Sequence, residues 1–408
     1  MINSKNMLGG RYVGEGSYGC IFRPNLPCPG YSQNEKYVSK VINNDSETIK
    51  DEFKNIDDKF KISTIDPDSD YFVVPIHQCR IDDITSNDLK PSNEILAKRP
   101  NHRGCPGKQI PVYLQNRITN GSENDKRNGL SVLNQYKTQL ILPYGGMDIE
   151  NTRKSDTTDS KPNIDSIWEQ HLNLLKGLVL LNENNIIHRD IKSANILLHE
   201  DKMRFIDMGL SIKMDEDFSD FQATNYLYWP ADYMSSSNAY LKKVLNINAF
   251  DSRTEKITKI LKGLFTDHTR HINDESIISV YENYGKYGWI IDSDHKKMLI
   301  KSLSSFMIRF IADKTHSEKD VVSRIKNTFD VFSVGAFLCD ELKRLPDNNK
   351  NYRDSLTMLA QKMTSFDPFE RPLPIEAFRL YIKIVKKDIL DSSEHYLLNS
   401  HIEEVDTF

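Results

Sequence analysis

Three side chains able to handle a proton or a metal ion stand close together in one part of the chain. Asp190 and Asn195 lie in the run HRDIKSANILL, residues 188–198, and Asp207 follows in IDMG, residues 206–209. Phosphoryl transfer requires a carboxylate that accepts a proton and hard oxygen ligands for Mg²⁺. The spacing of the three residues suits that chemistry, and it predicts a loop, a short hairpin and a second loop.

The same motifs resemble the catalytic loop and the Asp-Phe-Gly motif of the eukaryotic-type protein kinases. The resemblance implies that Asp190 orients the substrate hydroxyl and accepts its proton, and that Asn195 and Asp207 bind Mg²⁺. Lys192 would neutralise the γ-phosphate, and its place two residues after the aspartate resembles the serine/threonine-directed members. Met208 stands where the family usually has phenylalanine; because methionine is apolar and adaptable, we expect activity to be retained.

A glycine-rich segment near the N-terminus is the first element expected to contribute to the site. Gly14, Gly16 and Gly19 stand between β-forming residues, and the chain then continues as a strand, whereas a dinucleotide-binding loop would continue as a helix. This order predicts a hairpin whose turn lies close to phosphates, since a side chain would keep the backbone N–H groups away. The resemblance implies a nucleotide-binding lid made of Val13, Gly14, Glu15, Gly16, Ser17, Tyr18, Gly19, Cys20 and Ile21.

A lysine flanked by β-branched residues follows in the run KYVSKVI, residues 36–42. The run resembles the Val-Ala-Ile-Lys strand of the kinases, with Ser39 in the alanine position, and it implies that Lys40 contacts the α- and β-phosphates. The partner of this lysine should be a glutamate on the inward face of the next helix. Glu52 is the candidate because apolar residues follow it, and Glu47 is the alternative.

The segment LPYGGMD, residues 142–148, resembles the hinge of the kinases, with Leu142 at the gatekeeper position. The resemblance implies that the backbone around Tyr144 and Gly145 is available to adenine and that Asp148 reaches a ribose hydroxyl. Leu197, in the strand after the catalytic loop, completes the expected nucleotide-binding set.

An acidic activation segment runs from Asp207 to YWPAD, residues 228–232, which resembles the Ala-Pro-Glu element of the family with Asp232 as its acid. In the family, Arg189 normally awaits a phosphate on this segment, and it belongs to the expected catalytic set. Four acids could replace that phosphate, and they are Asp215, Glu216, Asp217 and Asp220. We hypothesise that one of them binds Arg189 and orders the segment permanently; the alternative is a solvated acidic loop.

Two later motifs resemble elements that brace the large lobe of the kinases. FDVFSVG, residues 329–335, resembles the family's Asp-Val-Trp-Ser-Leu-Gly helix, in which Asp330 would brace the catalytic loop from below. FDPFERP, residues 366–372, resembles the closing element in which Arg371 would pair with Asp232.

The resemblance implies an α+β fold, the bilobal protein kinase fold, with a small β-rich N-lobe and a larger helical C-lobe. Strands are expected at residues 71–79 and 138–143 and helices at 167–182, 256–265 and 296–312. The expected domains are a tail (1–11), the kinase domain (12–386) with its N-lobe (12–143) and C-lobe (144–386), and a second tail (387–408). Polar residues from about 80 to 136 predict a surface insertion, and helical patterns from about 234 to 327 predict a second, helical insertion that is a candidate for binding a partner.

Composition limits the other classes of function. The 408 residues carry a formal net charge of −4, which does not favour nucleic acid as a partner, and no run reaches the ~18 apolar residues of a membrane span. Five scattered cysteines without a CxxC pair predict neither a disulfide framework nor a zinc site. We therefore expect a protein of the reducing cytoplasm, or of the host cytoplasm or virion if the source is a virus.

The motifs together predict a serine/threonine protein kinase that uses ATP and Mg²⁺ and phosphorylates protein substrates; they predict no oligomeric state. A pseudokinase scaffold is one alternative, but such proteins usually lose the lysine or an aspartate, and Lys40, Asp190 and Asp207 are present. A small-molecule kinase of related fold is the other, but Arg189, the helix carrying Asp330 and Arg371 favour protein substrates instead. The run YGGMDI and the divergent activation segment are similar to kinases of large DNA viruses.

Overall fold

The computed structural model describes residues 11–16, 19–42, 55–80, 138–155, 164–216, 229–230, 289–307, 309, 316–345 and 350–390. The chain divides into two compact units. The sheet unit comprises Met1–Met147, Asn151–Ser155 and Arg204–Gly209, and the helical unit comprises Asp148–Glu150, Asp156–Met203 and Leu210–Phe408. A sheet in one unit and long helices in the other give the expected α+β class.

Five antiparallel strands form the sheet unit, in the order β1-β2-β3-β5-β4. They are β1 (Arg11–Gly16), β2 (Gly19–Arg23), β3 (Tyr37–Ile42), β4 (His77–Arg80) and β5 (Thr138–Pro143). Lys40 lies in the middle of this sheet, opposite Ile21 on β2 and Leu140 on β5. The apolar residues around it, including Val41 and Leu140, are fully buried, so the core of the unit fixes the position of the lysine backbone.

A π-helical turn (Asn55–Phe60) and a short helix, α1 (Ile62–Ile65), precede β4. The expected strand over residues 71–79 is wrong for its first part, because β4 begins only at His77. The backbone N–H groups of Tyr71 and Phe72 donate to the Asp66 carboxylate, each at 2.8 Å. Pro75 has no N–H group to donate. Two donors that a longer strand would need are therefore bound to Asp66, and a third is missing.

A disulfide in the sheet unit overturns the expectation that the cysteines form no disulfides. Cys28, in the loop after β2, is bonded to Cys79 on β4 with a Cα–Cα distance of 6.0 Å, and Cys20 on β2 is disulfide-bonded as well. No local spacing indicates this bond, because Cys28 and Cys79 are 51 residues apart and only the fold brings the loop beside β4. The cysteine pattern therefore gives no support for a reducing compartment.

The main helices of the helical unit are α3 (Ile164–Glu183), α4 (Ser293–Met307), α5 (Glu318–Leu342), α6 (Lys350–Met363) and α7 (Pro374–Val385), which continues as a π-helical turn (Lys386–Leu390). They confirm the helix expected at 167–182 and the first part of the one expected at 296–312; the helix expected at 256–265 lies outside the described residues.

Three short strands also belong to this unit, β7 (Ile186–Ile187), β8 (Ile196–His199) and β10 (Ile212–Lys213). The division between the units passes through or beside β6 (Met147–Asp148), α2 (Ile149–Ser155) and β9 (Lys202–Phe205).

Helix α5 forms the centre of the helical unit. Its residues Phe329, Val331 and Phe332 are fully buried, and a Cβ added to Gly335 would lie 2.6 Å from the Cβ of Met363 on α6. Ser317 and Asp320 form a capping box that fixes the start of the helix. Among the described residues, no helix is long and apolar enough to cross a membrane.

Candidate active site

The catalytic-loop residues lie in the helical unit, between β7 and β8. β7 pairs antiparallel with β10, and a 3₁₀ turn at Ser193–Asn195 leads into β8. Asp190 and Asn195 are almost completely buried, at 5% and 6% exposure. Short paired strands and a tight turn therefore restrict both ends of the loop, and its polar side chains are held inside the unit.

Asp330 on α5 holds the backbone of this loop. Its carboxylate accepts the backbone N–H of His188 at 2.6 Å and that of Arg189 at 3.0 Å. Arg189 has a φ of +68°, in the left-handed region that costs a residue with a side chain about 1 kcal/mol or more. Burial raises the pKa of Asp330, while His188 and these hydrogen bonds act in the opposite direction. The expected bracing role of Asp330 is thereby confirmed.

The Asp190 carboxylate is oriented by two side chains from its own loop. The Lys192 ammonium lies 3.0 Å from each of its two oxygens, and the Asn195 amide nitrogen donates to Oδ2 at 2.6 Å and to the Asp190 carbonyl at 2.9 Å. Because the Asn195 amide group uses its N–H donors on Asp190, its oxygen is left to act as an acceptor or a metal ligand. The structure therefore brings together Asp190, Lys192 and Asn195, as the motif implied.

Asp207 and Lys40 both belong to the sheet unit. Asp207 follows β9 with a φ of +66°, and Gly209 is so close that an added Cβ would lie 3.2 Å from Asp207 Oδ1. Met208 is buried at 2% exposure, as expected for the apolar residue of this motif. The left-handed backbone and the neighbouring glycine produce a tight turn that presents the Asp207 carboxylate.

The assignment of Ser39 to the alanine position of the lysine motif is wrong. Consecutive side chains of a strand point to opposite faces, so Lys40 shares its face with Val38, and Ser39 lies on the other. The Ser39 hydroxyl donates to Gln139 Oε1 at 2.6 Å and accepts the Leu26 N–H at 2.8 Å. Val38 therefore fills the alanine position, and Ser39 belongs to a buried polar network.

The glycine-rich segment is a hairpin of β1 and β2, as expected. Gly14 pairs with Ile21, Glu15 with Cys20, and Gly16 with Gly19. Val13 is 46% exposed. Ser17, Tyr18, Glu47 and Glu52 lie outside the described residues, so their expected roles stay predictions.

Tyr144, which the sequence predicts to lie in the hinge, is held by the loop between β2 and β3. Its backbone N–H donates to the Lys36 carbonyl at 2.8 Å, and the Arg23 guanidinium lies 3.3 Å from the centroid of its ring. Arg23 is itself held by Glu35, through the backbone carbonyl at 3.0 Å and the carboxylate at 3.1 Å. Gly145 follows Tyr144 directly. Leu142 on β5, the residue expected at the gatekeeper position, is 9% exposed. In the helical unit, Asp148 and Leu197 are half-buried.

The acids expected to replace a phosphate at Arg189 are only partly described. Asp215 is exposed, and the Glu216 carboxylate accepts the backbone N–H of Lys213 at 3.2 Å within its own turn. Asp217, Asp220 and Asp232 lie outside the described residues, so the substitution at Arg189 and the pair of Arg371 with Asp232 stay predictions. Arg371 itself is fully buried, with its guanidinium 5.6 Å from the Phe332 ring centroid.

Sequence reasoning missed two contacts that bear on this site. The Trp229 indole N–H donates to the Arg189 carbonyl at 2.7 Å, and Lys326 on α5 donates to the carbonyls of Met214 and Glu216. Lys326 and Trp229 lie beside motifs that were recognised, but no residue pattern indicates a bond to a distant carbonyl. These contacts become visible only with the fold.

Comparison with known proteins agrees with this geometry. Residues 133–245 match the model of the protein kinase domain. The chain is 32% identical over 120 residues to the probable serine/threonine-protein kinase ireA of Dictyostelium discoideum, which covers 25% of this chain and 12% of that protein. It is 41% identical over 117 residues to the serine/threonine-protein kinase pakH of the same organism, covering 28% and 22%. A protein of Acanthamoeba polyphaga mimivirus, described as a serine/threonine-protein kinase, is 31% identical over 127 residues, covering 31% and 23%.

These matches confirm the resemblance to eukaryotic-type serine/threonine protein kinases, including one of a large DNA virus. Residues 133–245 are therefore similar to a protein kinase domain, and the α+β class of the structure agrees with that similarity. The matched stretches span less than a quarter of the length of these relatives.

Proposed function

We propose that this protein transfers the γ-phosphate of ATP to serine and threonine hydroxyls of protein substrates. The observation that carries the proposal is the Asp190 carboxylate, buried at 5% exposure and oriented by Lys192 and Asn195. A carboxylate fixed in this way can accept the proton of an incoming hydroxyl as the oxygen attacks phosphorus. The Lys192 ammonium lies 3.0 Å from that carboxylate, and it would bind the transferred phosphoryl group.

The residues available for a metal fit Mg²⁺. The oxygen of the Asn195 amide and the carboxylate of Asp207 are hard ligands, and Mg²⁺ needs only a few protein oxygens because it keeps waters and substrate phosphates as ligands. The donor bonds from Asn195 to Asp190 determine which end of the amide is left for the ion. When bound, the ion supplies charge neutralisation at the phosphates.

The nucleotide is assigned to the glycine hairpin and the hinge. Backbone N–H groups of Gly14 to Gly19 are suited to phosphates, and Lys40 at the centre of the sheet supplies a positive charge. Adenine would bind the backbone around Tyr144 and Gly145, with Leu142 at the gatekeeper position, and Asp148 would reach the ribose. Leu197 would pack against the base, and Glu52 would pair with Lys40.

The substrate class is tested with the purified full-length protein, Mg²⁺ and γ-labelled ATP. Protein acceptors, basic, acidic and proline-directed peptides, and small hydroxyl compounds are offered separately. We expect phosphoserine and phosphothreonine in protein or peptide acceptors. Label confined to small compounds would favour a small-molecule kinase, and ATP binding without transfer would favour a pseudokinase scaffold; either result contradicts the proposal.

A further inference from the structure

One face of α5 carries three side chains that contact the catalytic loop or the segment following it. Lys326, Phe329 and Asp330 are three and four residues apart, so they lie on the same face of the helix. Asp330 holds the loop backbone at His188 and Arg189. Lys326 and Phe329 contact the activation segment, residues 207–232, near its two ends.

Lys326 holds the first part of the activation segment. Its ammonium donates to the Met214 carbonyl at 2.8 Å and to the Glu216 carbonyl at 2.6 Å. The turn at these residues is also closed internally, because the Lys213 N–H donates to the Glu216 carboxylate and the Glu216 N–H to the Lys213 carbonyl. A further backbone bond runs from Met214 to the Asn185 carbonyl at 2.9 Å. The turn is therefore fixed to α5 and to the loop after α3 by bonds that involve no phosphate.

Trp229 holds the last part of the segment. Its ring lies edge-on to Phe329, with 5.7 Å between the centroids, and it is buried at 6% exposure. Its indole N–H donates to the Arg189 carbonyl at 2.7 Å. Asp330 binds the N–H of the same residue, so both backbone polar groups of Arg189 are held. Since Asp190 is the next residue, this pair of bonds restricts the direction in which its carboxylate points.

We propose that Lys326 and Trp229 are positioning residues that hold residues 214–216 and 229 of the activation segment against α5 and the catalytic loop without phosphorylation of the segment. The inference rests on the proposed kinase function. An ammonium bound to two carbonyls and an indole bound to a third do in this chain what a phosphate bound by Arg189 does in phosphate-dependent kinases. This differs from replacement of the phosphate by an acid, because the partners are a lysine and a tryptophan.

The test compares Lys326→Met, Lys326→Arg and Trp229→Phe in the full-length protein. Lys319→Met is the matched control, because this lysine lies on the same helix and is exposed. We expect Lys326→Met and Trp229→Phe to lower kcat by about 10- to 100-fold, the range that misplacement of a catalytic group produces, with little change in the KM for ATP. Lys326→Arg, which can still donate to both carbonyls, should recover most of the activity.

A phosphatase arm tests the independence from phosphate. Wild-type protein, shown by mass spectrometry to carry no phosphate on residues 207–232, should keep its kcat within about twofold of the untreated value. Loss of activity on dephosphorylation, with recovery on phosphorylation of Ser219 or Thr224, would overturn the inference. Equal kcat for Lys326→Met and Lys319→Met would also overturn it.

Hydrogen exchange separates this inference from the proposed function, because it needs no activity. Lys326→Met should speed the exchange of the backbone amides of Met214 and Glu216 by about tenfold or more relative to Lys319→Met. Trp229→Phe keeps an aromatic ring but removes the N–H that binds the Arg189 carbonyl. The loop at Arg189 should then open more often, so the Arg189 N–H, which Asp330 holds, should exchange faster. If the wild type transfers no phosphate but the two variants show these faster exchange rates, only the proposed function fails. Unchanged exchange rates in both variants would contradict the proposal that Lys326 and Trp229 hold the segment.

Discussion

The carboxylate of Asp330 accepts the backbone N–H of His188 at 2.6 Å across 142 residues of sequence. The bond ties α5 to the loop that carries Asp190, and a second bond from the same carboxylate holds Arg189. The conformation of the catalytic loop is thus coupled to the core of the helical unit, so changes in α5 should alter both stability and catalysis.

Replacement of Asp330 by alanine should destabilise the protein and reduce its activity. Two backbone N–H groups would be left buried without this acceptor, and each unsatisfied group costs about 1–3 kcal/mol. We expect the free energy of unfolding, from urea titration, to fall by about 2–4 kcal/mol. Asp340→Ala is the control, because Asp340 lies on the same helix and its ion pair with Lys343 spans 3.9 Å. An equal loss in both variants would contradict the bracing role.

Acidification should destabilise the helical unit through two histidines. Burial lowers the pKa of His171 to about 4 and that of His295 to about 4, from an ordinary 6.5. The unfolded chain therefore binds more protons between pH 6.5 and 4, so stability present above pH 6.5 is lost as the pH falls toward 4. The expected loss at pH 5 is about 2 kcal/mol for each histidine.

Urea titrations at pH 7 and pH 5 measure this loss, with variants that cannot titrate at these pH values. His171→Gln should show a smaller difference between the two pH values than wild type. His199→Gln is the control, because the His199 side chain is 34% exposed and is not part of the buried core. If the free energy of unfolding of His171→Gln falls between pH 7 and pH 5 as much as that of wild type, His171 does not contribute to the acid sensitivity.

The Cys28–Cys79 disulfide should stabilise the sheet unit. A bond closing a loop of this size restricts the unfolded chain, and such bonds contribute about 2–4 kcal/mol. The double variant Cys28→Ser with Cys79→Ser should therefore unfold at lower urea than wild type without reductant. With reductant, the two proteins should unfold at similar urea concentrations. Reduction also breaks the disulfide of Cys20, but it does so in both proteins and therefore lowers both midpoints equally. A gap that persists under reduction would show that serine, not loss of the bond, causes the change.

The contact of Arg23 with Tyr144 should strengthen the binding of ATP. A cation 3.3 Å from the ring centroid contributes about 0.5–1 kcal/mol at a partly exposed site, so Arg23→Ala should raise the KM for ATP by about 2- to 5-fold with kcat nearly unchanged. Arg80→Ala removes an exposed arginine of the same unit and serves as control. No change in KM would indicate that Tyr144 is held sufficiently by its backbone bond to Lys36.

Much of the fold and site could be predicted because the relevant residues form continuous motifs. The run from His188 to Leu198 combines a carboxylate, a lysine and an amide within one loop, so the contacts of Asp190 with Lys192 and Asn195 follow from local spacing. Alternating β-formers around Lys40 indicated β3, and the apolar stripe of α3 indicated its helix.

Contacts between distant residues could not be predicted in this way. The bond between Cys28 and Cys79 depends on how the irregular loop after β2 packs beside β4. The hydrogen bond from Trp229 to the Arg189 carbonyl depends on where the last part of the activation segment lies. The shortened β4 reflects a competing carboxylate, since Asp66 binds the N–H groups that a strand would use. Backbone groups bound by single side chains leave no periodic pattern in a sequence.

The most direct test of the kinase assignment is the kcat of Asp190→Asn for a protein acceptor. Asparagine keeps the shape of the side chain but cannot accept the proton, and general base catalysis contributes about 100- to 10,000-fold. We expect a fall in kcat of that size, an unchanged KM for ATP and no effect of the control Asp201→Asn, which lies in the exposed turn after β8. Wild-type kcat in Asp190→Asn would contradict the account.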